Sequence, residues 1–180
     1  MEDRELVLGS LPSPLGGERP IARVALRTVP DQRLWERFVE RLQSLGGEVR
    51  QVGEIAGLAG RCYLDADVPP SVRGQLGEPV QTVWQAEAGV TVCELAVAET
   101  GSLLLAEGEG RSRLASLAPP LHVCLVDPNR LVAGLDEAVR RAPMETCWLI
   151  SGPSRTADIE GVMVNGVHGP KRLWVVPLPA

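Results

Sequence analysis

Between Leu34 and Leu45 the apolar side chains of Leu34, Trp35, Phe38, Val39, Leu42 and Leu45 return every three or four residues, with Arg33, Glu36, Arg37, Glu40 and Arg41 on the opposite face. That period predicts an amphipathic helix with one buried stripe. Pro30-Asp31 opens it and Gly46-Gly47 ends it, since proline suits a first turn and glycine the residue past the last. Upstream, Ile21 to Arg27 alternates as a first strand. Residues 1–19, broken by Gly9, Pro12, Pro14 and Gly16-Gly17, hold no sustained period and read as a flexible lead-in.

Downstream, Glu48 to Val52, Arg61 to Leu64 and Val80 to Trp84 read as short strands bounded by Gly or Pro. Val90 to Ala106 reads as two strands around a tight turn at Glu99-Thr100-Gly101-Ser102, an antiparallel hairpin. A Gly-rich loop from Gly108 leads to a short helix with Leu114 and Leu117 inward, stopped by Pro119-Pro120. Leu121 to Val126 is an apolar, buried strand. Asp127-Pro128 then supplies an N-cap and first position for a helix with Leu131, Val132, Leu135, Ala138 and Val139 on its inner face. Cys147 to Ile150 and Leu173 to Val176 are the last strands, with a helix starting near Thr156 between them. Strands that are apolar on both faces and alternate with helices imply a parallel sheet covered on two sides. The expected fold is three-layer α/β/α with a mostly parallel sheet and one antiparallel hairpin, formed by residues 20–180 as one domain.

Composition narrows the partners. A formal charge of −5 and only four Trp, one Tyr and one Phe disfavour nucleic acid, which calls for clustered cations and stacking rings. The basic residues are dispersed arginines, Lys171 being the one lysine. No apolar run approaches the roughly 20 residues of a membrane span, and the acidic start Met1-Glu-Asp-Arg-Glu is unlike a signal peptide. A cytoplasmic protein without membrane insertion is expected. Cys62, Cys93, Cys124 and Cys147 stand 31, 31 and 23 residues apart; without a C-x-x-C pair they read as buried, reduced thiols, and no metal site is expected.

The candidate chemistry gathers in three stretches. Ser151-Gly-Pro-Ser-Arg-Thr-Ala-Asp-Ile-Glu160 follows a buried strand, and the carboxyl edge of a parallel sheet is where such folds bind ligands. Gly152 allows close approach, Ser154 and Thr156 bring hydroxyls, Arg155 a forked donor, and Asp158 and Glu160 carboxylates. A capped helix with Arg155 paired to Asp158 or Glu160 is the structural alternative. Glu99, Thr100, Gly101 and Ser102 pair a base or nucleophile with two hydroxyls at a turn, which is otherwise an ordinary hairpin turn. Gly166-Val-His-Gly-Pro170 holds His168 and Gly169 in a turn, where the imidazole can contact a ligand or brace the loop. His122, inside an apolar strand, reads as a core or interface residue. No P-loop, dinucleotide or nucleophile-elbow fingerprint is present.

Ala98-Glu-Thr-Gly-Ser-Leu-Leu-Leu105, Gly110 to Val123, Ser151 to Glu160 and Gly166 to Pro170, in this order and spacing, resemble the lactate-utilization (LUD) domain family, closely from Val90 onward. The resemblance implies a fold similar to the ribose-phosphate isomerase, glucosamine-phosphate deaminase and CoA-transferase group. It further implies a place in a bacterial system that oxidises L-lactate to pyruvate, with iron-sulfur clusters in partner proteins and none in this chain. Three functions stay open: an accessory subunit of that system binding a small anionic ligand or partner; a stand-alone enzyme on an acyl or sugar-phosphate substrate, with Glu99 and His168 catalytic and Arg155 as anion clamp; and a ligand-sensing or carrier module. All three stretches are expected to converge in one pocket at the carboxyl edge of the sheet.

Overall fold

The computed structural model describes residues 33–143, 146–157 and 163–179. The lead-in and the strand expected from Ile21 lie outside these residues, as do Asp158 and Glu160. In chain order the elements are α1 (Leu34–Ser44), β1 (Glu48–Val49), β2 (Cys62–Leu64), α2 (Pro70–Leu76), β3 (Ala88–Val92), β4 (Leu95–Val97), β5 (Ser102–Ala106), β6 (Leu121–Val126), β7 (Leu131–Val132), α3 (Leu135–Arg141), β8 (Cys147–Ile150), β9 (Arg155–Ala157), β10 (Met163–Asn165) and β11 (Arg172–Pro177).

A five-stranded sheet of order β1-β11-β6-β3-β2 is parallel throughout. All six residues of β6 are buried, as a central strand covered on both faces requires. On one face Val90, Leu121, Val123, Leu125 and Val176 pack on Ile55 of the 3₁₀ helix Val52–Leu58 and on Val68, Val72 and Leu76. On the other face Cys93, Cys124, Val126, Leu173 and Val175 meet Leu34, Phe38 and Leu42 of α1. These three α1 residues are spaced by four, which is what puts them on one stripe. The same face also meets Ala96, Leu103 and Leu105 of a second sheet, β7-β4-β5-β8. That sheet covers its far side with Ala138 of α3, packed on Leu95, Val97, Leu104 and Val132. The chain is thus a mixed α/β fold with a mostly parallel central sheet and helices on either side.

Several local expectations are corrected. Val80 to Trp84 is not a strand: only Val83 turns inward, from the 3₁₀ turn Val83–Gln85, and Ala88–Val92 takes the place beside β2. The hairpin is confined to β4 and β5. The chain leaves the parallel sheet at Cys93, whose N–H still reaches the Leu125 carbonyl, and joins the second sheet at Glu94, whose N–H reaches the Leu104 carbonyl. In the 3₁₀ turn Arg113–Ser116 the inward residues are Ala115 and Ser116, while Leu114 and Leu117 face solvent. Asp127 caps only the 3₁₀ turn Pro128–Arg130, its carboxylate accepting the Asn129 N–H at 2.9 Å. Leu131–Val132 pairs with β4 as a strand, so the helix starts at Leu135 and Val139 is left exposed. Thr156 lies in β9, antiparallel to β10, rather than at a helix start.

Candidate functional site

Gly89, in the middle of the parallel sheet, sets the geometry. A Cβ there would overlap the Ala115 carbonyl oxygen and stand 2.8 Å from its carbon, so only glycine lets the turn Arg113–Ser116 lie directly on β3. The turn delivers Ser116 to the sheet, where its hydroxyl donates to the Arg113 carbonyl at 2.8 Å and accepts the Trp148 indole N–H at 3.2 Å. That second bond ties β8 to the turn. The loops after β8 and before β11 are laced together: the Ser154 N–H donates to the Pro170 carbonyl and the Gly166 N–H to the Ser154 carbonyl, both at 2.9 Å. Between these pieces lies a cavity of about 220 Å³, walled by Ser116 and Leu117, by Leu149 to Ser154, by His168 to Pro170, and by His122 and Leu173.

His122 and Leu173 are register partners near the starts of β6 and β11. The cavity therefore opens at the amino ends of the central parallel strands, not at the carboxyl edge expected from the sequence. It does lie at the carboxyl end of β8, but β8 is the edge strand of the second sheet. What the carboxyl ends of β2 and β3 hold instead is a charged network. Arg111 bridges Asp67 (Nε to Oδ2, 2.8 Å) and Glu94 (Nη1 to Oε1, 2.5 Å), and Arg130 pairs with Glu94 at 3.0 Å. Beside it Asp65, buried, accepts the Ser112 N–H at 3.1 Å. Burial pushes this carboxyl up to about 7 against that hydrogen bond.

Among the described residues, no Asp, Glu, Lys or Arg lines the cavity. Its polar groups are the Ser116, Ser151 and Ser154 hydroxyls and two imidazoles. His168 is exposed at the rim. His122 is 1% exposed, with Nε2 2.9 Å from the Thr91 hydroxyl and a buried Nδ1 that finds no partner among the described residues. Burial brings the imidazole down to about 3, so it is neutral at physiological pH. Leaving such a nitrogen unpaired costs about 1–3 kcal/mol.

The structure thus brings together two of the three stretches. Gly152, Ser154, His168 and Gly169 line the cavity, and Ser102 reaches its wall through a 2.6 Å contact between the Ser102 and Ser151 hydroxyls. The Glu99 turn otherwise faces elsewhere. Gly101, at φ +68°, packs on α1, where a Cβ would stand 2.5 Å from the Leu42 nitrogen. Glu99 is exposed, its N–H donating to the Ala133 carbonyl at 3.0 Å, and the buried Thr100 hydroxyl has no partner among the described residues. Arg155 is exposed and extends over Gly46 at the carboxyl end of α1, outside the cavity wall, and Thr156 is half-buried in β9. Sequence reasoning gave Ser116 no role and took His122 for a core or interface residue. The one signal available was a polar ring in an otherwise apolar strand.

Cys62, Cys93 and Cys124 are buried and Cys147 is half-buried. Burial pushes the Cys62 thiol up to about 11. Among the described residues no group of three His, Cys, Asp or Glu side chains is placed to hold a metal ion, and no helix is long and apolar enough to cross a membrane.

A mixed α/β domain with a cavity at the amino ends of its parallel strands, lined by no Asp, Glu, Lys or Arg among the described residues, is the class this geometry defines. The LUD domain profile matches residues 78–177, and the chain belongs to the LUD domain family. It is 38% identical over 117 residues to lactate utilization protein C of Deinococcus radiodurans, a match covering 61% of this chain and 51% of that protein. It is 33% identical over 102 residues to lactate utilization protein C of Halalkalibacterium halodurans, covering 52% and 44%. The chain spans about half the length of these curated relatives. The crystal structure of a DUF162 family protein from Deinococcus radiodurans shares the fold, with a TM-score of 0.60 at 22% identity, over 84% of this chain and 100% of that one.

Proposed function

We propose that the chain serves bacterial lactate utilization in the cytoplasm, as an accessory subunit of a system that oxidises L-lactate to pyruvate. In this reading the iron-sulfur clusters belong to partner proteins, this chain binds none, and the cavity holds a small ligand. The supporting observation is that residues 78–177, matched by the LUD profile, contain every residue that lines the cavity. A stand-alone enzyme of the acyl-transfer type needs Glu99 and Arg155 against the substrate, and both stand outside the cavity wall. The test is deletion of the gene in a bacterium grown on L-lactate as sole carbon source. Loss of growth, restored by the gene in trans, is the expected result; growth equal to the parent strain would refute the proposal.

A further inference from the structure

We propose that Nδ1 of His122 is the recognition point of the cavity, pairing with the hydroxyl or carbonyl oxygen of a short-chain ligand. This rests on the reading of the cavity as the functional site and adds what it recognises. Two hydroxyls of the wall are already engaged: that of Ser116 holds the Arg113 carbonyl and the Trp148 indole, and that of Ser151 holds Ser102. His122 spends Nε2 on Thr91 and keeps Nδ1 unpartnered in a ring that is almost wholly buried. With no fixed charge in the described lining, the inner end suits a neutral oxygen, because a buried carboxylate there would lack a counter-ion. Leu149, Ile150 and Leu173 offer apolar wall to a carbon skeleton, and a carboxylate on the same ligand would lie outward, beside His168.

The Thr91 contact gives the site a second property. A threonine hydroxyl both donates and accepts, and a neutral imidazole carries its proton on either nitrogen. When Thr91 donates to Nε2, Nδ1 bears the proton and donates to a carbonyl. When Nε2 donates to Thr91, Nδ1 accepts from a hydroxyl. One pair of residues therefore accommodates an alcohol and the corresponding ketone, the relation between a 2-hydroxy acid and its 2-oxo acid, without a change of charge in the buried site.

The experiment follows the ring nitrogens of ¹⁵N-histidine-labelled protein by NMR during titration with L-lactate, pyruvate and uncharged hydroxyacetone. The expected result is a saturable shift of the His122 Nδ1 resonance with at least one probe. In His122→Gln, whose side-chain terminus can keep the Thr91 contact while Nδ1 is lost, affinity for that probe should fall more than tenfold, with an unchanged or higher melting temperature. A His122 resonance indifferent to all three probes, or a His122→Gln protein binding within twofold of wild type, overturns the proposal and leaves Nδ1 to an ordered water. Binding of hydroxyacetone alone would uphold recognition at Nδ1 while counting against the lactate reading, which the growth test addresses separately.

Discussion

Replacing Gly89 by Ala should both destabilise the protein and deform the cavity. The new Cβ would overlap the Ala115 carbonyl oxygen, stand 2.8 Å from its carbon and 3.1 Å from Pro119 Cγ, whereas real Cβ atoms essentially never come within 3.0 Å of a neighbour. Neither side yields cheaply. Gly89 lies in a strand paired with both β2 and β6, and the opposing atoms are main chain of a turn held through Ser116 to Trp148. The turn must lift away, and Ser116 leaves the cavity wall with it. Overpacking of this kind costs about 3 kcal/mol, which lowers the melting temperature by roughly 6–12 °C in a chain of this size. Urea and thermal denaturation measure the loss, with Gly53→Ala as control because a Cβ there meets nothing within 4 Å. A Gly89→Ala protein within about 0.5 kcal/mol of wild type, the range of a neutral surface change, would refute the close approach on which the cavity is built.

Burial lowers His122 from 6.5 to about 3 and raises Asp65 from 3.8 to about 7. The unfolded chain therefore binds the His122 proton that the folded state refuses, so this group's stability is full above pH 6.5 and is lost as pH falls toward 3. The folded chain keeps the Asp65 proton that the unfolded state releases, so that group's contribution is full below 3.8 and is lost as pH rises toward 7. The two slopes oppose each other, each at most about 1.4 kcal/mol per pH unit. Asp65→Asn, whose side-chain oxygen can still accept the Ser112 N–H, removes the second slope. Its stability relative to wild type should rise with pH between about 4 and 7 in urea denaturation, and a difference independent of pH would contradict the burial of that carboxyl. Arg111→Ala strips Asp67 and Glu94 of a partner whose side chain is only 16% exposed, and should cost about 2 kcal/mol by the same assay; a loss under about 0.5 kcal/mol would show the network to be idle.

Much of the frame was legible because it rests on local periods. Leu34, Phe38 and Leu42 mark the buried stripe of α1, and β6 is the continuous apolar run of a strand buried on both faces. The pairing of the Ser154 loop with the His168 turn was also anticipated. The exchange of sheets at Cys93-Glu94 was not, since apolar residues run straight through it and only the tertiary partners differ on either side. Likewise the inward choice of Ala115 and Ser116 over Leu114 and Leu117 is dictated by Gly89, which is distant in sequence. Sequence spacing carries no record of which residue's missing side chain another segment will use. For the same reason the site was expected at the carboxyl edge, where chain order put the Ser151 loop, before β8 was known to belong to the second sheet. His122 is buried, as expected of a core residue, yet that one of its nitrogens lacks a partner is a fact of three-dimensional packing.

The proposal that this LUD domain serves lactate utilization through its cavity is tested most directly by filling that cavity. Ser154 is a half-buried wall residue, and Ser154→Phe puts an aromatic ring into a space of about 220 Å³. Growth on L-lactate is then measured in a deletion strain carrying this variant, after its melting temperature has been matched to wild type. No restoration of growth is the expected result, and restoration equal to the wild-type gene would contradict the cavity's role.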